Sequence, residues 1–91
     1  AMTSRDTIDD DATAIALQAL AWTLGDDARA GRLLALTGLE PEGIRARIGD
    51  PAMLGAVLAF LESHEPDLIA CADAIGVKPQ YLIAAQQRLN A

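Results

Sequence analysis

Cysteine is almost missing from this chain: Cys71 stands alone, so no disulfide can close within it, and a reducing compartment is the natural setting. Aromatic residues are nearly as scarce, with only Trp22, Phe60 and Tyr81. Nineteen alanines accompany them and no alternating β-branched stretch is present, which argues against a sheet and for helices packed at short range. Positive charge is short as well. Seven Lys and Arg face thirteen Asp and Glu, and the resulting net charge of −6 opposes phosphate backbones and anionic membrane surfaces. The longest runs without a charge, Ala12 to Gly25 and Pro51 to Leu61, fall short of the roughly 18 apolar residues needed to span a membrane. No basic segment precedes them, so neither a signal peptide nor a membrane partner is expected, and the expected location is the cytoplasm.

What the chain has in excess is apolar surface. Hydrophobic residues make up 52% without counting glycine, above the roughly 45–50%, glycine included, of an average soluble domain. A chain of 91 residues reads as a single domain, 1–91, with little interior to hide that surplus. Self-association follows as an expectation. Residues 1–9 read as a flexible N-terminal segment, and Ala1 ahead of Met2 as the scar of a removed tag.

Punctuation divides the chain into six helices. The first opens in the acidic stretch Thr7-Ile8-Asp9-Asp10-Asp11, where Thr7 with Asp10, or Asp11 alone, suits a cap, and stops at Gly25. Asp26 and Asp27 open a second, with Leu33, Leu34 and Leu36, that stops at Gly38; a third follows Pro41 and carries Ile44 and Ile48 on one face before Gly49. Asp50-Pro51 opens a fourth whose residues Ala52 to Leu61 are apolar all round, as in a helix buried on every side. The fifth begins at Pro66, spaces Leu68, Ile69, Ala72 and Ile75 helically and stops at Gly76. The sixth runs from Pro79 through Leu82, Ala85 and Leu89.

Residues 18 to 48 also align without a gap on residues 56 to 86. Leu20-Ala21-Trp22 falls on Leu58-Ala59-Phe60, Gly38-Leu39-Glu40-Pro41 on Gly76-Val77-Lys78-Pro79, Ile44 on Leu82, and Ala46 on Ala84. Composition alone accounts for the leucine and alanine identities. It does not account for a Gly-apolar-x-Pro turn recurring in register with an aromatic sixteen residues before each glycine. The fold expected is therefore all-α: a compact bundle of about six short helices, a tandem duplication of a three-helix unit with halves at about 10–48 and 50–90. The two uncharged helices should form the central pair, with Trp22 and Phe60 in related sites.

The segments Leu17-Gln18-Ala19-Leu20-Ala21-Trp22, Leu34-Ala35-Leu36-Thr37-Gly38-Leu39 with Pro41, and Val57-Leu58-Ala59-Phe60-Leu61 carry a family resemblance that covers roughly Ala14 to Leu89. The chain resembles the small bacterial proteins grouped as domain of unknown function 3572. That resemblance implies no activity and no site residue.

Few constellations suggest chemistry. Leu68 to Leu89 resembles the helix-turn-helix unit of DNA-binding proteins, with Ala72, Gly76 at the turn, Val77 after it and Leu82 packing back. Its second helix, Pro79–Leu89, offers Lys78, Gln80, Gln87 and Arg88, and the related third helix offers Arg45 and Arg47; Ile83 and Ala84 on the inner face are poor partners for phosphate or base edges. The same packing serves any tight helical corner, and an acidic chain lacks the backbone neutralisation that supplies most DNA affinity. His64-Glu65-Pro66-Asp67 is the one place where histidine meets carboxylates, with Cys71 seven residues on. A zinc-binding helix needs a second histidine where Leu68 stands, so His64 reads as a turn residue and Cys71 as a small buried filler. Asp9-Asp10-Asp11 lacks the spacing of a calcium loop, and Asp26 with Asp27 and Glu40 with Glu42 sit at helix starts. The glycines are scattered, so no phosphate loop is present.

The expectation is a non-enzymatic helical protein-interaction module that associates with itself or another protein, without catalytic residues, metal or cofactor. The competing reading is a helix-turn-helix DNA-binding regulator using Arg45, Arg47, Lys78, Gln80 and Arg88.

Overall fold

Proline and glycine set most of the boundaries. In the computed structural model, which describes the backbone of residues 4–90 and the side chains of 11–90, six helices follow one another: α1 (Ser4–Leu24), α2 (Asp27–Thr37), α3 (Pro41–Ala46), α4 (Pro51–Glu62), α5 (Glu65–Ile75) and α6 (Pro79–Leu89). A proline occupies the first turn of α3, α4, α5 and α6, where its missing N–H is no loss. The Asp26 carboxylate accepts from the Arg29 backbone N–H at 3.0 Å, and Asp50 accepts from that of Ala52 at 3.0 Å, so both act as side-chain caps. Helix α1 begins at Ser4, earlier than the acidic stretch suggests, because the aspartates favour the positive end of a helix without having to be its first residue. Of the expected caps, the Thr7 and Asp10 side chains lie outside the described residues, as do Ala1 and the other side chains of the N-terminal segment; Asp11 is exposed within α1.

Helices α1, α4 and α6 pack on one another and enclose the centre, α5 lies against all three, and α2 covers α1 and α4. Helix α1 supplies Ala12, Ala16, Ala19 and Leu20, small residues spaced so that its neighbours approach closely; α4 supplies Met53, Leu54, Val57, Leu58, Phe60 and Leu61. Leu33, Leu68, Cys71, Ala72, Leu82 and Ala85 complete the interior, with Ile44 from α3. Full burial of one such leucine stabilises the fold by about 2–3 kcal/mol. Thr23 is the one buried polar residue among the described residues, and its hydroxyl donates to the Ala19 carbonyl at 2.8 Å, which removes the cost of burying it.

Several faces differ from the sequence pattern. Helix α4 is not buried all round: Ala52, Ala56 and Ala59 lie on its solvent side, because its ends and one flank have no helix against them. Ile44 is buried but Ile48 is not, since α3 ends at Ala46 and the turn through Arg47–Gly49 swings Ile48 out to 51% exposure. Leu36 and Ile69 also face solvent.

The two halves match in helix order and in one turn. Gly38 and Gly76 both end an eleven-residue helix in the left-handed conformation, at φ 71° and 79°, which glycine adopts without a side-chain clash. The third helices diverge: α3 has six residues and touches the other helices only slightly, whereas α6 has eleven and forms a wall of the core. The aromatics diverge too. Phe60 is buried at 6% exposure, while Trp22 is half-buried beneath Arg29. Shared order and turn do not by themselves establish the duplication.

Candidate functional site

Helix α6 is two-faced. Leu82 and Ala85 enter the core, and Gln80, Tyr81, Ala84, Gln87 and Arg88 remain exposed. Beside that exposed face runs α1, which turns Ala12 inward and leaves Asp11, Ala14 and Gln18 outside. Between the two helices lies an open groove of about 850 Å3, walled by Ala12, Ala14, Ile15, Tyr81, Ala84 and Ala85 and rimmed by Asp11, Gln18, Gln87 and Arg88. Small side chains on facing helices cannot fill the space between them, so the alanines make the concavity, and Tyr81 adds an aromatic ring to its lining. An apolar lining with a few polar rim groups suits a docked side chain better than it suits chemistry.

The corner between α5 and α6 has the geometry the sequence suggests. The helices are bent by 101° across Gly76-Val77-Lys78, within the range of helix-turn-helix units, with Ala72 and Leu82 buried and Val77 packed against the core. Lys78 and Gln80 sit together at the start of α6, exposed, with Gln87 and Arg88 at its far end. Of the two apolar residues read as its inner face, only Ile83 packs against the core; Ala84 faces solvent, because the groove keeps α1 from covering it. Arg45 and Arg47 are exposed on α3 and its C-terminal turn, a different part of the fold. The face of α6 that would meet DNA shares its groove with the Asp11 carboxylate.

His64 and Cys71 are parted. His64 caps α5 by position only, exposed and without a side-chain cap hydrogen bond, and its Nε2 is 3.9 Å from an Asp67 oxygen that already accepts from Arg32 at 2.7 Å. Cys71 is fully buried, and burial pushes its thiol up to about 11, an effect that the nearby Arg29 guanidinium opposes and Asp67 reinforces. A thiol held neutral and out of solvent lacks the thiolate character that nucleophilic attack and metal ligation draw on. Among the described residues no three His, Cys, Asp or Glu side chains converge to hold a metal ion, and no single helix is long and apolar enough to cross a membrane.

Two arrangements escaped sequence reasoning. The groove could have been sought in the spacing Ala84-Ala85 with Tyr81 and Ala12 with Ala14, but only packing brings the two sets face to face. Arg29 lies over the Trp22 ring across the Gly25 turn, and its spacing from Trp22 is the only sequence signal for that contact. No curated protein and no solved structure matches the chain. A family model described as protein of unknown function (DUF3572) matches residues 9–91, and with that match, over a fold that agrees with the resemblance read from its helices, the chain belongs to this family.

Proposed function

We propose that this chain is a cytoplasmic, non-enzymatic protein-interaction module that associates with itself. One observation carries the reading: the open apolar groove between α1 and α6, in whose walls Ala14, Tyr81 and Ala84 are left exposed. Burying such a surface is favourable in proportion to its apolar area, and this chain has more of it than its size can enclose. Sedimentation velocity at low and moderate salt tests it. The expected result is an oligomer that persists at moderate salt and weakens when Ala14 and Ala84 are both changed to arginine. A monomer at every concentration would remove the reading.

The 101° corner favours a second reading, DNA binding through Lys78, Gln80 and Arg88 with Arg45 and Arg47. The net charge and the Asp11 rim oppose it. Its support would be a monomer that binds duplex DNA at moderate salt and loses that binding when Arg45, Arg47, Lys78 and Arg88 are neutralised.

A further inference from the structure

We propose that the α1/α6 groove receives the Arg45–Ile48 corner of a second copy of this chain, in a head-to-tail contact. The inference rests on the self-association reading and names the surface that meets the groove. The corner is an unusual feature of this protein. Ile48 is half-exposed, and the two arginines just before it, Arg45 and Arg47, are exposed with no ion-pair partner among the described residues. Three of the other exposed large apolar residues have different surroundings: Leu24 precedes Asp26 and Asp27, Ile69 lies between Asp67 and Asp73, and Leu36 follows an arginine already paired with Asp67.

The corner is also fixed in shape. Backbone bonds from Arg47 to the Ile44 carbonyl, from Ile48 to that of Arg45 and from Asp50 to that of Arg47 hold it, while buried Ile44 anchors it to the core. A pre-formed tip loses little freedom on docking. Its own groove is out of reach, since none of its residues lines that groove and α3 touches the other helices only slightly.

The groove complements it. Its floor is apolar, as Ile48 requires, and its α1 rim carries Asp11. That exposed carboxylate offers an acceptor to a guanidinium group. Gln18 and Gln87 add side-chain carbonyl acceptors, and Arg88 on the opposite rim is already engaged in an interaction of its own. A contact between two different surfaces of one chain leaves one copy of a pair with its groove still open and the other with its corner still open, so it builds rings or open chains rather than a closed pair.

Two complementary variants test this. Ala84→Arg blocks the groove and leaves the corner intact; Arg47→Glu with Ile48→Asp spoils the corner and leaves the groove. All three positions are exposed, and circular dichroism checks that helicity is kept. By sedimentation, each variant alone should associate at least roughly tenfold more weakly than the unaltered protein. An equimolar mixture should regain affinity and stop at a one-to-one dimer, because only one intact corner and one intact groove remain to meet. Ala14→Arg, on the opposite wall, gives an independent block of the same groove should Ala84→Arg disturb the fold. A mixture that stays monomeric, or single variants that associate as tightly as the unaltered protein, would overturn the head-to-tail contact while leaving self-association standing. An unaltered protein that is monomeric throughout would overturn both.

Discussion

The Arg29 guanidinium lies 3.6 Å from the centre of the Trp22 ring and donates to the Trp22 backbone carbonyl at 2.7 Å. One side chain of α2 thus covers the partly buried aromatic of α1 and satisfies a carbonyl at that helix's C-terminal end. Arg29→Ala should cost about 2 kcal/mol, combining a stacked cation with a charged hydrogen bond. Lysine should restore only part of it, having no planar fork to lay on the ring. Urea unfolding followed by Trp22 fluorescence measures both, and a native emission that does not move in Arg29→Ala would show that the stacking is absent in solution.

The thiol of Cys71 should ionise well above the ordinary value of 9.0, near 11, because burial disfavours the thiolate. With the folded-state value raised, this group's contribution is complete below pH 9 and is lost as pH rises towards 11, when the unfolded chain releases the proton more readily. The expected slope is at most about 1.4 kcal/mol per pH unit in that window. Cys71→Ala should remove this component of the alkaline decline, and a thiol reagent should react slowly with the native protein until denaturant is added. Rapid native modification would contradict the burial.

Gly31 and Gly38 should respond oppositely to alanine. Gly31 is inside α2, exposed, with nothing within 4 Å of an added Cβ, so Gly31→Ala should stabilise by about 0.5–1 kcal/mol. Gly38→Ala forces alanine into a left-handed conformation and should cost about 1–2 kcal/mol, as should Gly76→Ala. Thermal unfolding of the three variants gives the signs directly.

Phe60→Ala should be the most damaging aromatic substitution, costing about 3–5 kcal/mol from a nearly closed site. Trp22→Ala should cost less, because the indole is only partly buried and one ring face is covered by Arg29 rather than by the core. Equal losses, measured by denaturant unfolding, would restore the case for equivalent environments.

Helix boundaries were readable from the chain because proline, aspartate and glycine act locally: Asp26, Asp50, Gly38 and Gly76 do what their chemistry dictates whatever surrounds them. Faces were less so. Ile44 and Ile48 have helical spacing, yet α3 stops between them and they part; Ala52 and Leu54 are both apolar, yet only the leucine is enclosed. An alanine fits either side of a helix, so an alanine-rich sequence leaves its orientation to be settled by packing. For the same reason the groove was hidden, since nothing local marks Ala14 and Ala84 as facing one space. The helix-turn-helix corner was visible in advance, because Ala72, Gly76, Val77 and Leu82 occupy one short segment.

Helices α1 and α6, at opposite ends of the described chain, share a wall of the same core. During synthesis on the ribosome, α1 emerges before α6 and must wait for it before its inner alanines are fully covered, a matter of seconds at about 5–20 residues per second. Until then the surfaces of α1 and α4 that α6 covers have nothing against them. Helix α6 therefore acts as the keystone, and a chain interrupted before Pro79 would present to chaperones the apolar surface that α6 encloses.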